Sequence, residues 1–402
     1  MMQTVAARRG FRPDVVVPTG TPAWLADIKR AAFERFETLG YPTPHDEAWR
    51  YTGLQPITST AWTRSRRAPE VETLPDGVRL RPLTESGPEA RRRFATIAAS
   101  EKNAFTELNT AAFEEAYVLE IAPEAVLERP IEIVFAPPPT VRAATVSPRL
   151  LILAGERSQA SIVQTFTGKH RTFTNAVTEI ALAEGALLEH TLLQREATIA
   201  CHIHTLAAKQ ARASRFSSIH VALGGALART DLHVALEGEG AECELYGLFV
   251  GKGAQHLDTH TTIDHASPRC TSRELYKGIL DGAARGVFHG TILVRPHAQK
   301  TDAVQTNKNL LLSRAALVNS TPALEILADD VKCKHGSTTG QLDPAALFYL
   351  RSRGIGEEAA RALLTWAFAA DVAERIRIPS VRAEVERELG QRLAGAPLEL
   401  SA

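Results

Sequence analysis

From Tyr117 to Leu342 the chain is a succession of short β-prone runs separated by small polar turns. "AYVLEIA", "RLLILA", "ALLEHTLL", "ARTDLHVAL", "CELYGLFV" and "GVFHGTILV" are typical. Helical spacing is nearly absent, and β-branched and aromatic residues suit strands. The turns rhyme: "AEGAL", "LGGAL", "GEGAE" and "LDGAA". Ala226 and Ala241 are 241 − 226 = 15 positions apart, and Ala160 and Ala186 are 186 − 160 = 26. These spacings fit the half coil and the full coil of a stacked-strand solenoid. A β-sandwich also places short strands at regular spacing, so the repeats alone leave both architectures open.

Helical patterns flank this core. Residues 1–115 form a first region, in which "PAWLADIKRAAFERFETLGYPTP" carries Leu25, Ile28, Ala32, Phe36 and Leu39 at helical spacing, with Gly40 and Pro42 as stop signals. An Arg-, Pro- and Glu-rich stretch, "TRSRRAPEVETLPDGVRLRPLTESGPEARRR", reads as a linker. The core is assigned to 116–342 and a C-terminal helical domain to 343–402. There "GEEAARALLTWAFAADVAERIR" has Glu357 and Glu358 in its first turn and Arg375 and Arg377 in its last, as the helix dipole favours. Leu363, Trp366, Ala370, Ala373 and Ile376 share one face. That stripe either packs on its own domain or docks a partner.

Several function classes are disfavoured. Lys plus Arg equals Asp plus Glu at 46 each, which argues against a nucleic-acid binder with a basic face. No run of 18 apolar residues occurs, and "MMQTVAARRGFRPD" has no signal-peptide core, so a soluble cytoplasmic protein is expected. The four cysteines, Cys201, Cys243, Cys270 and Cys333, contain no C-x-x-C pair. They suit reduced thiols better than a disulfide framework. "VGKGAQ" lacks the spacing of a phosphate loop, so ATP hydrolysis by this chain is not expected.

Three stretches carry metal-type side chains. In "QHLDTHTTIDH" the β-branched residues favour a strand, which sets His256 and His260 about 13 Å apart at roughly 3.3 Å per residue. They read as polar groups along an exposed face. In "CHIH", His202 and His204 share one strand face and Cys201 and Ile203 the other. A metal-dependent hydrolase built on these two stretches is one competing reading. Cys243 shares a face with Leu245 and Phe249 and reads as a small buried apolar group. In "DDVKCKHGSTTG" a strand over Val331–His335 puts Val331, Cys333 and His335 on one side and Lys332 and Lys334 on the other. A thiolate and an imidazole about 6–7 Å apart at Cα can aim at one metal, with flanking lysines favouring the thiolate. Two ligands are too few for a stable site, and the alternative is a strand end followed by a turn at Gly336.

Two long stretches, "RELYKGILDGAARGVFHGTILVRPHAQKTDAVQTNKNLLLS" and "ALVNSTPALEILADDVKCKHGSTTGQLDPAALFYLRSRGI", resemble the SufB/SufD family of iron–sulfur cluster assembly scaffolds. The N-terminal "HDEAWRYTGL" resembles that family's E-x-W-(K/R)-Y-T-x-L element. "LEILADDVKCKHGSTTGQLD" has the form seen in SufD, with Lys334 at a position where many SufD chains carry a small polar residue. The resemblance implies a right-handed parallel β-helix between N- and C-terminal helical regions. It implies a non-catalytic scaffold paired through its β-helix with SufB and gripping the SufC ATPase by its C-terminal helices. His335, in the C-x-H-G motif, then helps bind the nascent cluster at the SufB interface, with Cys333 a weaker candidate for the same site. No cofactor is expected on the chain alone, and FAD is admitted in the complex. An exposed β-helix edge needs a partner or a cover, so an isolated chain can pair with a second copy. A third reading is a structural solenoid that holds partners and has no metal role.

Overall fold

The structure is a computed structural model, and it describes residues 20–66, 68–98, 103–137 and 143–394. The repeats resolve as a parallel β-solenoid of about eight coils, flanked by helices at both ends. Each coil contributes one strand to an 11-stranded sheet and one to a 9-stranded sheet. Leu227 and Glu242 begin successive strands in the two sheets, so the 15-residue interval is the half coil. The full coil is longer than the alanine spacing suggests. Ala160 stands opposite Leu188, not Ala186.

The rhyming turns have a physical cause. At one corner Arg157, Gly185, Ala213, Gly240, Arg269 and Lys300 all take the left-handed backbone conformation, one per coil. Each corner amide donates to a carbonyl of the next coil, as Gly185 N does to Arg212 O at 2.9 Å and Lys300 N to Asp330 O at 2.7 Å. This conformation costs non-glycine residues roughly 1–2 kcal/mol, so glycine recurs there without being obligatory.

Along each strand, alternate side chains point into the coil. Ile162, Leu188, Leu206, Phe216, Leu232 and Phe288 are among those filling the space between the sheets. The outward faces are covered too, and on opposite sides. The N-terminal region lays Phe36, Tyr41, Trp49 and Phe105 on Phe173, Cys201 and Ile203 of the 11-stranded sheet. The C-terminal helices Glu357–Ala373 and Pro379–Ala394, with Ile376 between them, lay Val372, Ile376, Val385 and Leu389 on Ile219, Val221 and Leu248 of the 9-stranded sheet. Strands buried on both faces read as near-continuous apolar runs, which is why alternation in the sequence is weak.

Cover ends before the solenoid does. The last two strands, Leu317–Ile326 and Lys332–Gly340, contain no buried residue. Each is the terminal strand of its sheet.

Candidate functional site

The last strand places the C-x-H-G residues. Lys332–Gly340 pairs in parallel with Asp302–Leu311, with Cys333 opposite Ala303, His335 opposite Gln305 and Ser337 opposite Asn307. Ala303, Gln305 and Asn307 are buried inward-facing residues. Parallel register therefore puts Cys333, His335 and Ser337 on the inward side of a coil that nothing closes. The expected turn at Gly336 does not occur there. The strand runs on to Gly340 because the Asp302–Leu311 ladder offers partners as far as Leu310.

Cys333 is half-buried against Ile292, Val294, Ala298, Ala303 and Ala328. Burial pushes its thiol up, against a backbone hydrogen bond at Ala303 that pulls it down. The flanking lysines, which point the other way, do not make it a ready thiolate. His335 is exposed. Ser337 Oγ lies 2.7 Å from Ser320 Oγ, which donates to Asn307 Oδ1 at 2.8 Å, so side chains link the two edge strands. Among the described residues no three His, Cys, Asp or Glu side chains converge as a metal set. The end of the solenoid thus brings two potential donors together, fewer than a four-coordinate site needs.

Behind His335 the interior turns polar. Leu245, Glu274, Gln305 and His335 follow one another in register, one per coil. Gln305 Nε2 donates to Glu274 Oε2 at 2.8 Å. Gly290 faces this pair, and a Cβ there would stand 2.3 Å from Gln305 Nε2. Burial pushes the Glu274 carboxyl up to about 7, against the Thr261 and Gln305 contacts that pull it down. Glu274 and Gln305 escaped the sequence reading. Their one signal is polar side chains at the inward positions of strands otherwise read as apolar.

The other histidines serve the fold. His256 and His260 lie on one strand, His256–His265, but their face is not exposed. The N-terminal segment covers it, and "HDEAWRYTGL" supplies the contacts. Thr52 Oγ1 donates to Asp258 Oδ2 at 2.6 Å and lies 2.8 Å from His256 Nε2. Arg229 is buried between Asp231 at 2.6 Å and Asp258 at 2.9 Å, donates to Ala48 O, and stacks 3.8 Å over the Trp49 ring. Burial alone would raise Asp258, but the Arg229 guanidinium outweighs it and holds the carboxyl below its usual range. His260 packs on His289 and sits 3.1 Å from Asp258. His202 and His204 do share a face, which points into the coil onto Phe166. His202 Nδ1 is 2.8 Å from Glu196, and His204 Nε2 is 3.1 Å from Thr178. Cys201 and Ile203 face the N-terminal region, where burial pushes Cys201 up to about 12. Cys243 is a fully buried core residue, as its spacing suggests.

The C-terminal stripe is divided. Ala373 and Ile376 are buried against the chain's own 9-stranded sheet, so these two are unavailable to a partner. Leu363, Trp366 and Ala370 are half-buried. The preceding helix, Pro344–Ser352, buries nothing, and leaves Phe348 and Tyr349 73% and 57% exposed. The sequence reading did not single out this adjacent aromatic pair.

A family model described as "SUF system FeS cluster assembly, SufBD core domain" matches residues 140–368, more than half of the chain. The chain belongs to the SufBD family. An iron–sulfur cluster assembly SufBD family protein of Synechocystis is 30% identical over 90% of each chain. The iron–sulfur cluster assembly protein SufD of Escherichia coli is 38% identical over 60% of this chain and 57% of its own. A chloroplastic protein of Arabidopsis thaliana, ABCI7, is 34% identical over 60% of this chain and 52% of its own. Within the family this SufBD chain is most like SufD, and it is a subunit of SUF-system iron–sulfur cluster assembly. No helix among its described residues is long and apolar enough to cross a membrane.

Proposed function

We propose that this chain is a SufD-like scaffold without catalytic activity of its own, which builds nascent iron–sulfur clusters at a shared edge with a SufB subunit. The observation that carries the reading is the open last coil. It presents the His335 imidazole and the Cys333 thiol on a strand whose outer edge is unpaired, beside exposed Leu317, Ile326 and Leu327. An unpaired strand edge with apolar neighbours is a template for another chain. The donors here fall short of a full ligand set, so SufB supplies the remainder. His335 is the stronger ligand, because burial works against ionisation of Cys333.

A SufC ATPase docks on the C-terminal helices in this reading. The exposed Phe348 and Tyr349 extend the docking face formed by Leu363, Trp366 and Ala370. Lys277 ties that region to the coil through Asp371 at 2.7 Å. ATP-driven closure of SufC would thus act on the solenoid and shift the SufB edge, provided that edge has two arrangements. FAD belongs to the assembled complex rather than to this chain. An isolated chain, in the cytoplasm or in solution, covers the same edge with a second copy.

The test is anaerobic cluster reconstitution on the chain alone and on its complex with SufB and SufC, using wild type, His335→Ala and Cys333→Ala. Cluster formation only in the complex, and its loss in His335→Ala complexes that still assemble, supports the reading. A stable stoichiometric cluster or zinc ion on the lone chain would sink it. Wild-type reconstitution by both variants would leave a structural solenoid that only holds partners.

A further inference from the structure

We infer that Gln305, oriented by Glu274, is a positioning residue for His335: its side-chain oxygen accepts a hydrogen bond from one imidazole N–H and leaves the other ring nitrogen to the metal. The inference rests on the ligand role proposed for His335.

The geometry begins inside the coil. Gln305 is 1% exposed, so the orientation of its amide is set by its neighbours. Its Nε2 is committed to Glu274 Oε2 at 2.8 Å. Above about pH 7, where Glu274 is ionised, its carboxylate accepts and does not donate, so this contact fixes which end of the amide is nitrogen. Gln305 Oε1 is then turned away from Glu274. It is buried and has no hydrogen-bond partner. Buried acceptors left unpaired are uncommon and costly.

The register names the missing donor. The next inward side chain in this column is His335, directly opposite Gln305 on the last strand. Adjacent strands lie about 4.8 Å apart, which an amide and an imidazole span between them. Gly290 leaves room for the amide on the other side, since a Cβ there would stand 2.3 Å from Gln305 Nε2. Metal-ligating histidines characteristically donate their second ring N–H to such an acceptor, which sets the tautomer and the ring plane. Here that acceptor and its own support are part of the coil before any partner or metal arrives.

Two measurements on Gln305→Leu, Glu274→Leu and Glu274→Gln test this. The first is the His335 tautomer in the isolated full chain, read from imidazole nitrogen shifts assigned with His335→Ala. Gln305→Leu is expected to move the tautomer ratio to that of free histidine. Glu274→Leu is expected to move it part of the way, and Glu274→Gln, which still accepts from Gln305, to leave it in place. The second is ferrous iron affinity of the complex with SufB and SufC, where Gln305→Leu is expected to cost about 10- to 100-fold. Gln305→Met, which keeps length and loses the amide, replaces Gln305→Leu if the latter disturbs the coil. An unchanged tautomer ratio and unchanged iron affinity in the Gln305 variants overturn the inference. If His335→Ala complexes also bind iron normally, the ligand role itself has failed. If only His335→Ala loses iron, the ligand role stands and the positioning role is wrong.

Discussion

Glu274→Gln should stabilise the isolated chain at neutral and alkaline pH, and the gain should vanish in acid. The Glu274 carboxyl is 3% exposed, and burial raises it from 4.5 to about 7. Between those two values the folded chain holds a proton that the unfolded chain has released. Folded stability therefore falls as pH rises through this window and levels off above about 7. At about 1.36 kcal/mol per unit, the full loss is roughly 3 kcal/mol. The carboxamide introduced by the substitution never ionises, keeps the size, and can still accept from Gln305. Burial pushes Tyr276 and Cys243 well above the window, and the pH dependence of His265, which burial lowers from 6.5 to about 4, is common to wild type and variant and cancels in their difference. Reversible urea unfolding at pH 5 and pH 8.5, on wild type and variant, measures the effect. The stability difference should grow by roughly 2.5 kcal/mol between the two pH values, since pH 5 already lies inside the window. A difference that stays flat within about 1 kcal/mol would show that Glu274 is not desolvated as the coil requires.

Three further outcomes follow from other parts of the fold. Gly247→Ala brings a Cβ within 2.0 Å of the Tyr276 ring and should lower the urea stability by about 1–3 kcal/mol or more, whereas Gly336→Ala meets nothing within 4 Å and should be neutral. Arg229→Met strands the Asp231 and Asp258 carboxylates in a buried site and should cost about 3–5 kcal/mol, with a change in tryptophan fluorescence as Trp49 loses its stacking partner. His190→Gln should protect against acid: burial lowers His190 from 6.5 to about 4, so its contribution to stability is lost as pH falls through that range, and the variant should recover roughly 3 kcal/mol at pH 4 relative to its offset at pH 8.

The coil was legible because its corners repeat a backbone conformation that selects small residues. "AEGAL" and "GEGAE" put Gly185 and Gly240 at one corner, and "LGGAL" and "LDGAA" put Gly225 and Gly282 at left-handed positions as well. The exact period was less legible, because Arg157, Ala213, Arg269 and Lys300 fill the same corner without glycine. Strand faces were read correctly at Cys201 to His204, where alternation alone decides direction. What covers a face was not readable. His256 and His260 look like an exposed polar row until the N-terminal segment, some 200 residues earlier in the chain, lies over them. The same limit applies to Ala373 and Ile376, since a helical stripe does not say which sheet or partner it meets. Cys333 misled for another reason. Its lysine neighbours in sequence point away, and the Ile292 and Val294 side chains that determine its burial come from the preceding coil.

The composition of the interior explains why this solenoid stops where it does. Early coils set Ile162, Ile180, Leu188 and Phe216 beside inward polar groups that pair within the chain, as Gln164 does with Thr178 and His190. The later ones place Glu274, Gln305, Asn307 and Asn309 at inward positions and end on His335 and Ser337. A polar interior cannot be sealed by an apolar cap without stranding those groups, so its cover must bring hydrogen-bond partners. The edge strands are guarded against indiscriminate pairing. Pro322 removes one donor from the strand Leu317–Ile326, and Lys332 and Lys334 place charge along the strand Lys332–Gly340. Apolar Leu317, Ile326 and Leu327 nevertheless remain exposed beside them. An edge that repels general strand addition while offering apolar contacts around a polar opening selects a partner with matching polar groups. That combination is what the shared ligand site proposed above would require of the half that carries one exposed imidazole and one half-buried thiol.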